Sequence, residues 1–496
     1  MYDTKYTIML YKNARLLTAQ REYGMAGGAL ADELNTARQI GLEDMLEARE
    51  RRSRRQSALQ ASYPGCTMVC FTMNIAGPVK NTPLIRRGFL HGCALLRQQL
   101  MRLRKKPVHE ALWDEATGNE GYFVIDLPAS AVKRMTSEIE DQDPIGRLFD
   151  MDVLDASGRK LDREEIGLSG RSCLLCSLPA KVCARSRTHS VALLQEKTWE
   201  LLAESAREHD LTIIARDACR ALLYEVCTTP KPGLVDRANS GSHRDMDIFT
   251  FMDSAAALQP YFRRCAEIGM DCKDPPEMVR RLRGAGAAAE RDMLAATGGV
   301  NTHKGAIFSI GIACAALGRL DPSRRSDPEA VLEECGRVAA ALTGDDFARL
   351  DRIRESGNIE SLEDNTFTVG ERLYLQHGIR GVRGQAMDGF PAVLRAGLPA
   401  LERELAAGAD LNRAGSVAML AILCADTDTN LIARGGRQKQ LAATAQVEAL
   451  LDHTPSPSED AIIQLDRQFT KEGLSPGGSA DLLGLCYLLY FLKERC

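Results

Sequence analysis

Residues 144–154 read Pro-Ile-Gly-Arg-Leu-Phe-Asp-Met-Asp-Val-Leu, and this stretch is the most informative part of the first half of the chain for its structure and chemistry. Apolar and acidic residues alternate in it, which predicts a β-strand with Phe149, Met151 and Val153 on one face and Asp150 and Asp152 on the other. Two carboxylates at positions i and i+2 of a strand can share a divalent cation such as Mg²⁺, which would bridge phosphate oxygens during an in-line displacement. Two solvated surface acids are the alternative.

The segments around this stretch predict an α+β domain over residues 1–205. Strands are predicted at residues 67–74 and 122–127, and helices at residues 29–60, 85–105 and 190–208. The chain beyond residue 205 consists of Ala- and Leu-rich segments with helical spacing, separated by Gly-containing loops, so residues 206–496 predict an all-α domain. No Pro- or Ser-rich linker separates the halves, and the boundary is expected between residues 203 and 212.

The composition is that of a folded globular protein, with 496 residues of which 45% are hydrophobic and 26% charged. The longest apolar stretch with almost no charge, residues 305–318, is too short to cross a bilayer and predicts a buried helix. The N-terminus lacks the features of a secretory signal, and the fifteen cysteines mostly stand singly, as reduced thiols do. A cytoplasmic location and no membrane partner are therefore expected.

Two features of the first half point to ligands. Residues 51–109 hold twelve Lys or Arg residues and no Asp or Glu, so an anionic ligand or partner is expected, with a solvated basic face as the alternative. The pattern Cys173-x2-Cys176-x6-Cys183-x5-His189 has the spacing of a zinc knuckle and predicts a possible structural Zn²⁺ site. A cysteine-rich chain also produces such spacings by chance.

Five polar, Gly-containing loops divide the helical pattern of the second half. The first loop is residues 229–247, the second 298–305, the third 370–384, the fourth 425–436 and the fifth 475–481. The second loop opens onto an apolar helix, so free backbone N–H groups and Lys304 converge where a phosphate can bind. Asp426 and Asp428 in the fourth loop suit a hard cation. The five loops are expected to meet at one pocket.

Several motifs of the first half together resemble the apo-citrate lyase phosphoribosyl-dephospho-CoA transferase family. They are CFTMNIAGPVK at 70–80, RRGFLHG at 86–92, GRLFDMDV at 146–153, RSCLLC at 171–176, VCAR at 182–185 and Thr188-His189. That family attaches a phosphoribosyl-dephospho-CoA arm to a serine of the acyl carrier (gamma) subunit of citrate lyase and releases pyrophosphate. The resemblance implies a nucleotidyltransferase-like domain, catalytic and Mg²⁺-binding roles for Asp150 and Asp152, and phosphate contacts from Lys80, Arg86, Arg87 and Arg147.

The loops of the second half resemble the triphosphoribosyl-dephospho-CoA synthase family through PKPGLVDRANSGSHRDMD, GGVNTHKG, GVRGQA, DTDTN and PGGSADLL. That family joins ATP to 3'-dephospho-CoA: the acceptor's ribose 2'-hydroxyl displaces adenine, giving 2'-(5''-triphosphoribosyl)-3'-dephospho-CoA. The resemblance implies Mg²⁺ ligands at Asp245, Asp426 and Asp428, and a base or charge stabiliser at Asp236 or Glu371. The implied phosphate-binding residues are Lys231, His243, Asn301, His303, Lys304 and Arg434.

Three other interpretations remain open at this point. The related malonate decarboxylase system uses the same arm on a different carrier. The DTDTN motif also resembles the metal motif of ADP-ribosylglycohydrolases, so an ADP-ribosyl or nucleoside glycohydrolase fused to a nucleotidyltransferase is a second alternative. A nucleic-acid-binding zinc module is the third, but no aromatic platform or recognition helix accompanies the basic stretch, so no nucleic-acid partner is expected.

Overall fold

A computed structural model describes residues 37–356 and 367–494. Its internal contacts divide the chain into two compact units, residues 1–210 and 211–496. The division falls inside one long helix, Val191–Cys227, so the helix predicted at residues 190–208 continues well beyond its expected end. Of the helix predicted at residues 29–60, residues 29–36 lie outside the described residues, and the described part is helical only from Leu42.

The first unit contains a five-stranded antiparallel sheet with strand order β2-β3-β1-β4-β5. The strands are β1 Thr67–Met73, β2 His109–Trp113, β3 Glu120–Ile125, β4 Phe149–Leu154 and β5 Lys160–Leu161. The helices are α1 Leu42–Ser62, α2 Pro83–Arg102, α3 Ala129–Gln142, α4 Ala180–Ser186 and α5 Val191–Cys227. The predicted combination of sheet and helices is confirmed.

The two faces of this sheet differ. Helices α2 and α3 pack on one face, where the side chains of Phe149, Met151 and Val153 are fully buried in the main core of the unit. Helix α1 covers part of the other face, where Leu59 packs near Cys70. Asp150 lies opposite Thr72 and Asp152 opposite Cys70 across the β1–β4 pair, so both acids project from that second face. The alternation predicted for this strand is confirmed.

The described part of the second unit contains helices and no strands, as predicted. The helices after α5 are α6 Ile248–Asp271, α7 Pro275–Ala296, α8 Lys304–Arg319, α9 Pro328–Glu355, α10 Val369–His377, α11 Gly381–Met387, α12 Leu398–Ala406, α13 Leu411–Ala425, α14 Thr429–His453, α15 Glu459–Glu472 and α16 Gly477–Lys493.

Helix α8 lies in the core of the second unit, where most of its residues are buried. Its backbone approaches that of α6 closely, because a Cβ atom on Gly269 would lie 2.0 Å from the carbonyl oxygen of Ala315. Glycine and alanine therefore permit the contact between these two helices. The expectation of a buried helix at residues 305–318 is confirmed. Among the described residues, no single helix has the length and apolarity to cross a membrane, and only the bent pair α13–α14 meets that test as a combination.

Candidate active sites

The acidic pair of β4 forms the first candidate site. Asp152 pairs with Lys160 of β5 at 2.5 Å, whereas Asp150 has an exposed side chain beside it. Desolvation by the surrounding protein, followed by the charge of Asp152, raises the pKa of Asp150. Two adjacent carboxylates with one nearby lysine form an acidic surface that a divalent cation can bind.

At the outer edge of β4, side chains form the backbone hydrogen bonds that a longer neighbouring strand would otherwise form. β5 pairs only with Val153 and Leu154, so the start of β4 needs other partners. Glu140 accepts a hydrogen bond from the Met151 N–H at 2.9 Å. Arg171 donates to the carbonyl oxygens of Phe149, Gly146 and Arg147 at 2.6, 2.8 and 3.1 Å. The position of the two aspartates therefore depends on residues from α3 and from the segment after β5.

Acids from elsewhere in the unit neutralise most of the basic stretch at residues 51–109. All of these acids lie outside that stretch, which is why its own composition does not reveal them. Arg52 and Arg55 both pair with the buried Glu120, at 3.1 and 3.0 Å. Four of the twelve cations have no ion-pair partner in the described part of the chain. They are Lys80, Arg102, Arg104 and Lys106.

The four predicted phosphate-binding residues of the first unit have different surroundings. Lys80 donates to the Ile75 carbonyl at 2.6 Å, and Arg86, about half exposed, pairs with Asp114 at 2.9 Å. Arg87 is ion-paired with Asp210, and Arg147 donates to the Ser172 carbonyl. Desolvation, then the charge of Arg171, lowers the pKa of Arg147. The accessible side chain of Arg86 leaves it the most available of the four for an anion.

The predicted Cys/His cluster is assembled in the structure. One ligand atom from each of Cys173, Cys176, Cys183 and His189 lies within 4.8 Å of every other. The Cys176 and Cys183 sulfurs are 3.5 Å apart, and Nε2 of His189 is 3.3 Å from the Cys176 sulfur. These atoms suit a tetrahedral metal site.

Contacts in the second unit bring the five predicted loop segments together, as expected. The prediction that all five are loops is wrong in part, because residues 370–377 and 381–384 lie in α10 and α11, residues 429–436 in α14 and residues 477–481 in α16. His243 of the first loop lies 2.9 Å from the Ser475 hydroxyl of the fifth, and Arg434 of the fourth donates to Nδ1 of the same histidine at 3.1 Å. Gln385, which follows the third loop, donates to Asp426 at 2.8 Å. Gly305 of the second loop packs so tightly against Asp481 that a Cβ atom there would clash.

Asp428 joins the fourth loop to the fifth. One of its carboxylate oxygens accepts the N–H groups of Asn430 and Leu431, and the other accepts the N–H and hydroxyl of Ser479. The side chain is fully buried, and these four hydrogen bonds occupy both oxygens. Asp428 therefore serves as the N-cap of α14 and holds the start of α16 against it.

A group of acids lies at the meeting point of the loops. The charges of Asp426 and Asp428 interact, as do those of Asp428, Glu225 and Asp481, and the buried cation Lys231 is ion-paired with Glu225 and lies near Asp481. Burial raises the pKa of each of these four acids, that of Asp426 to about 6, and the charges of Glu225 and Asp428 add to the shift at Asp481. Asp426 and Asp481 keep part of their surface accessible. Such an excess of carboxylates is typical of a cation-binding active site.

Sequence reasoning missed Glu225 and assigned no role to Asp481. Glu225 lies near the end of α5, within the run Leu222-Leu-Tyr-Glu-Val226. A single acid among apolar helical residues is the sequence feature that could have identified it as a buried acid. Asp481 belongs to the fifth loop, but its proximity to Gly305 depends on a long-range contact.

His303 of the second loop lies next to this acidic group. Its Nδ1 is 2.7 Å from the Ser254 hydroxyl, and its buried Nε2 has no hydrogen-bond partner among the described residues. Burial, then the charge of Lys231, lowers the pKa of His303 to about 3, so the ring is neutral at pH 7. The residue can therefore contact a phosphate as a neutral hydrogen-bonding group.

The remaining predicted residues occupy local structural positions or the surface. Asp236 is buried and accepts the N–H groups of Lys231, Ala238 and Asn239, which organises the first loop. Glu371 forms the capping box of α10 with Thr368 and pairs with Arg349 at 2.6 Å. Asp245 is exposed and lies 3.9 Å from His243, and Asn301 is exposed.

A cavity of about 390 Å³ opens beside the second loop, between α6, α7, α8 and α9. Leu282, Ile307 and Ile312 contribute to its apolar floor. Its charged lining contains four cations and two acids, Arg283, Arg291, Lys304, Arg383, Glu290 and Asp346. Lys304 pairs with Glu290 at 2.9 Å, whereas Arg291 has no ion pair in the described ranges. The volume is in the range of small-molecule sites, and the excess of cations favours an anionic ligand.

Lys231→Met is expected to destabilise the protein by about 3–5 kcal/mol, because it leaves Glu225 buried without its counter-charge. The side chains of Lys231 and Glu225 are only 1% and 5% exposed. Urea unfolding of the variant measures the loss, and the double variant Lys231→Met/Glu225→Gln is the control, since removing both charges should recover much of it. An unchanged unfolding midpoint in the single variant would show that the pair is not a buried ion pair.

Comparison with known proteins assigns both units. The family model described as apo-citrate lyase phosphoribosyl-dephospho-CoA transferase matches residues 40–205, and that described as ATP:dephospho-CoA triphosphoribosyl transferase matches residues 212–496. The chain is 33% identical to Protein CitXG of Haemophilus influenzae over 92% of its own length and 97% of that protein. It is also 33% identical to Protein CitXG of Leuconostoc mesenteroides subsp. cremoris, with coverage of 92% and 98%.

Two further matches concern the second unit. A 2-(5''-triphosphoribosyl)-3'-dephosphocoenzyme-A synthase of Pectobacterium atrosepticum is 39% identical over 58% of this chain and 92% of that protein. A crystal structure from Archaeoglobus fulgidus, provisionally named as a triphosphoribosyl-dephospho-CoA synthase, matches 49% of this chain and 96% of that chain at 18% identity, with a TM-score of 0.31. From the matches to both family models and to the full-length relatives, the chain belongs to the CitXG family, with an apo-citrate lyase phosphoribosyl-dephospho-CoA transferase region followed by an ATP:dephospho-CoA triphosphoribosyl transferase region.

Proposed function

We propose that this protein makes the prosthetic group of citrate lyase and attaches it to the enzyme's carrier subunit. Residues 206–496 join ATP to 3'-dephospho-CoA and release adenine, and residues 1–205 transfer the phosphoribosyl-dephospho-CoA arm to a serine of the acyl carrier (gamma) subunit and release pyrophosphate. The observation that carries the proposal is the meeting of five loops around the buried acids, in a chain whose two family matches describe consecutive reactions. The free thiols of the described cysteines agree with a cytoplasmic location.

In the synthase reaction, the ribose 2'-hydroxyl of dephospho-CoA attacks the anomeric carbon of the ATP ribose. The bond from that carbon to adenine breaks, the hydroxyl loses its proton, and adenine leaves as a neutral base after gaining one. The anomeric carbon develops positive charge in the transition state, which a nearby carboxylate stabilises. Asp426 and Asp481 are the accessible carboxylates at the meeting point of the loops and are our candidates for this role.

The same acids fit Mg²⁺, because they provide oxygen ligands in an environment that disfavours uncompensated negative charge. Asp426 and Asp481 would hold the ion, which when bound would neutralise part of the charge of the triphosphate. Asp428 positions both loops through its four hydrogen bonds. His303, His243 and Arg434 lie close enough to these loops to orient phosphate oxygens by hydrogen bonds.

The cavity beside α8 is our candidate site for dephospho-CoA. An apolar floor suits the pantetheine or adenine part of that acceptor, and the cationic lining suits its pyrophosphate. Lys304 belongs both to this cavity and to the second loop, and the neighbouring Gly305 packs against Asp481. The cavity therefore lies directly beside the acids to which the acceptor hydroxyl must be delivered.

Arg291→Ala is expected to raise the KM for dephospho-CoA about tenfold while changing the KM for ATP little. The substitution removes a guanidinium that lines the proposed dephospho-CoA cavity and leaves the meeting point of the loops unchanged. Initial rates of adenine release at varied concentrations of each substrate measure both constants. Arg280→Ala, an exposed arginine on the same helix but outside the cavity, is the matched control. A selective rise in the KM for ATP would instead assign the cavity to ATP.

In the transferase reaction, the carrier serine hydroxyl loses its proton as its oxygen attacks the α-phosphorus of the donor's 5''-triphosphate. The bond from that phosphorus to the two outer phosphates breaks, and pyrophosphate leaves. We assign Asp150 and Asp152 to this site in a nucleotidyltransferase-like domain, supported by two carboxylates on one strand face of an antiparallel sheet. The pair fits Mg²⁺, which when bound would hold phosphate oxygens of the donor. Lys160 compensates part of their charge, and Arg86 is the most available cation for the pyrophosphate.

The decisive experiment supplies the purified protein with Mg²⁺, ATP and dephospho-CoA, measures free adenine by chromatography, and then adds apo carrier subunit and weighs it by mass spectrometry. We expect adenine only when dephospho-CoA is present, and a carrier mass gain of one phosphoribosyl-dephospho-CoA unit. Adenine or ribose products formed without dephospho-CoA would favour a glycohydrolase. A complete absence of adenine would overturn the synthase assignment, and labelling only of a malonate decarboxylase carrier would redirect the transferase.

A further inference from the structure

We propose that Cys173, Cys176, Cys183 and His189 bind one structural Zn²⁺, and that this ion keeps Arg171 on the strand that carries Asp150 and Asp152. The proposal of a metal site depends only on the positions of the four ligand side chains. The positioning role rests on the transferase function proposed above.

The positions of the four side chains fit one zinc ion. Tetrahedral Zn²⁺ with bonds of about 2.3 Å to sulfur and 2.0 Å to nitrogen places its ligand atoms roughly 3.5–3.8 Å apart. The sulfurs of Cys176 and Cys183 are separated by 3.5 Å, and the His189 nitrogen and the Cys176 sulfur by 3.3 Å. The N–H of Leu175 also points to the Cys173 sulfur at 3.5 Å, which suits a thiolate bound to metal. Cys176 and Cys183 are not joined by a disulfide in this structure, so both sulfurs are available as ligands.

The segment that contains the cluster has no hydrophobic core of its own. Between residues 171 and 190, Cys183 is the only buried residue. The segment contains one isolated bridge, between Ser172 and Pro179, and the seven-residue helix α4. A short segment with so little apolar burial normally needs a crosslink to hold one conformation. The cluster is therefore placed where a metal crosslink would have the largest structural effect.

The segment is attached to the start of β4 at its first residue. Arg171 donates to three carbonyl oxygens in residues 146–149, and Arg147 donates back to the Ser172 carbonyl. Within the segment, the Ala180 N–H donates to the Arg171 carbonyl at 2.8 Å, and the Cys173 N–H to the Leu178 carbonyl at 2.7 Å. A metal at the cluster would fix the backbone that presents Arg171. Arg171 is thus a positioning residue for the two aspartates.

The test measures zinc in the purified full chain by elemental mass spectrometry, in wild type, Cys176→Ser and the matched control Cys66→Ser, a partly buried thiol of the same unit outside the cluster. We expect about one zinc per chain in wild type and control, and a large loss in Cys176→Ser. Cobalt substitution of the chelator-treated wild type should give the visible bands of a tetrahedral thiolate site. Equal zinc in Cys176→Ser and control, or no zinc and no cobalt bands in the wild type, would overturn the metal site.

The positioning role is tested with donor already synthesised and carrier labelling followed by mass. Removal of zinc from the wild type should reduce the labelling rate at least about tenfold, restored by added Zn²⁺, while adenine release stays unchanged. Using chelated wild type avoids dependence on a variant that fails to fold. Undiminished labelling by zinc-free protein would overturn the positioning role. Zinc-loaded protein that labels no carrier would instead refute the proposed transferase function and leave the metal site standing.

Discussion

Asp426→Asn is expected to lower dephospho-CoA-dependent adenine release by roughly 100-fold or more. Asp426 is one of two accessible acids where the loops meet, and the amide is nearly the same size but carries no charge for a cation or a developing positive centre. The hydrogen bond from Gln385 can persist, because the Asn side-chain oxygen still accepts. The effect should therefore appear in kcat with the fold intact, as measured by initial rates of adenine formation and by thermal unfolding.

The control for this prediction is Asp452→Asn, which removes an exposed acid from α14 away from the loops. Its rate should equal that of the wild type. Carrier labelling by Asp426→Asn from ready-made donor should also be normal, because Asp426 belongs to the second unit. A variant that keeps more than about a third of the wild-type rate of adenine release would remove Asp426 from the site, since loss of a metal ligand or charge stabiliser costs much more than that.

Asp150→Asn is expected to have the converse effect, with carrier labelling reduced by roughly 100-fold or more and adenine release unchanged. Asp150 is the exposed member of the acidic pair, and its pKa is raised by desolvation and by Asp152, so the substitution removes an unfavourable charge from the folded protein. We therefore expect no loss of stability with the loss of activity. The measurement is the rate of carrier mass gain with purified donor, beside a thermal unfolding curve.

Asp126→Asn, which changes an exposed acid directly after β3, is the matched control and should label the carrier at the wild-type rate. Labelling by Asp150→Asn within about threefold of this control would contradict the assignment of the acidic pair to the transferase site. Together the two aspartate variants separate the two reactions, because each is expected to abolish one and spare the other.

The parts of the fold that depend on short-range patterns could be predicted from the sequence. Strand β4 follows from the alternation of Phe149, Met151 and Val153 with two acids, and α8 from a continuous apolar stretch. β2 was missed because His109–Trp113 lies at the edge of the sheet and is only partly buried. Its sequence therefore shows no clear alternation of apolar and polar side chains. The neutralisation of the basic stretch was also missed, because Glu115 and Glu120 come from the β2–β3 hairpin.

In the candidate synthase site, too, local features could be predicted from the sequence and long-range contacts could not. The loops were visible as Gly-rich interruptions, but the partners of each side chain depend on contacts between distant segments. Asp428 looks like a metal ligand in sequence, and only its four hydrogen bonds identify it as a cap. Glu371 was readable as a cap, since Thr368-Val-Gly-Glu371 has the spacing of a capping box. Its role as a base or charge stabiliser stays a prediction that its hydrogen bonds do not favour.

The meeting of the first and fifth loops has a consequence for the order in which the protein folds. His243 and Ser475 are 232 residues apart in the chain, and Gly233 and Asp466 are 233 apart. Contacts of such high sequence separation form late, and at a synthesis rate of roughly 5–20 residues per second the first loop is made about 12 to 46 seconds before its partners. Until α16 arrives, the Glu225–Lys231 pair lacks the residues that enclose it. The ability to release adenine therefore reports that α16 has docked.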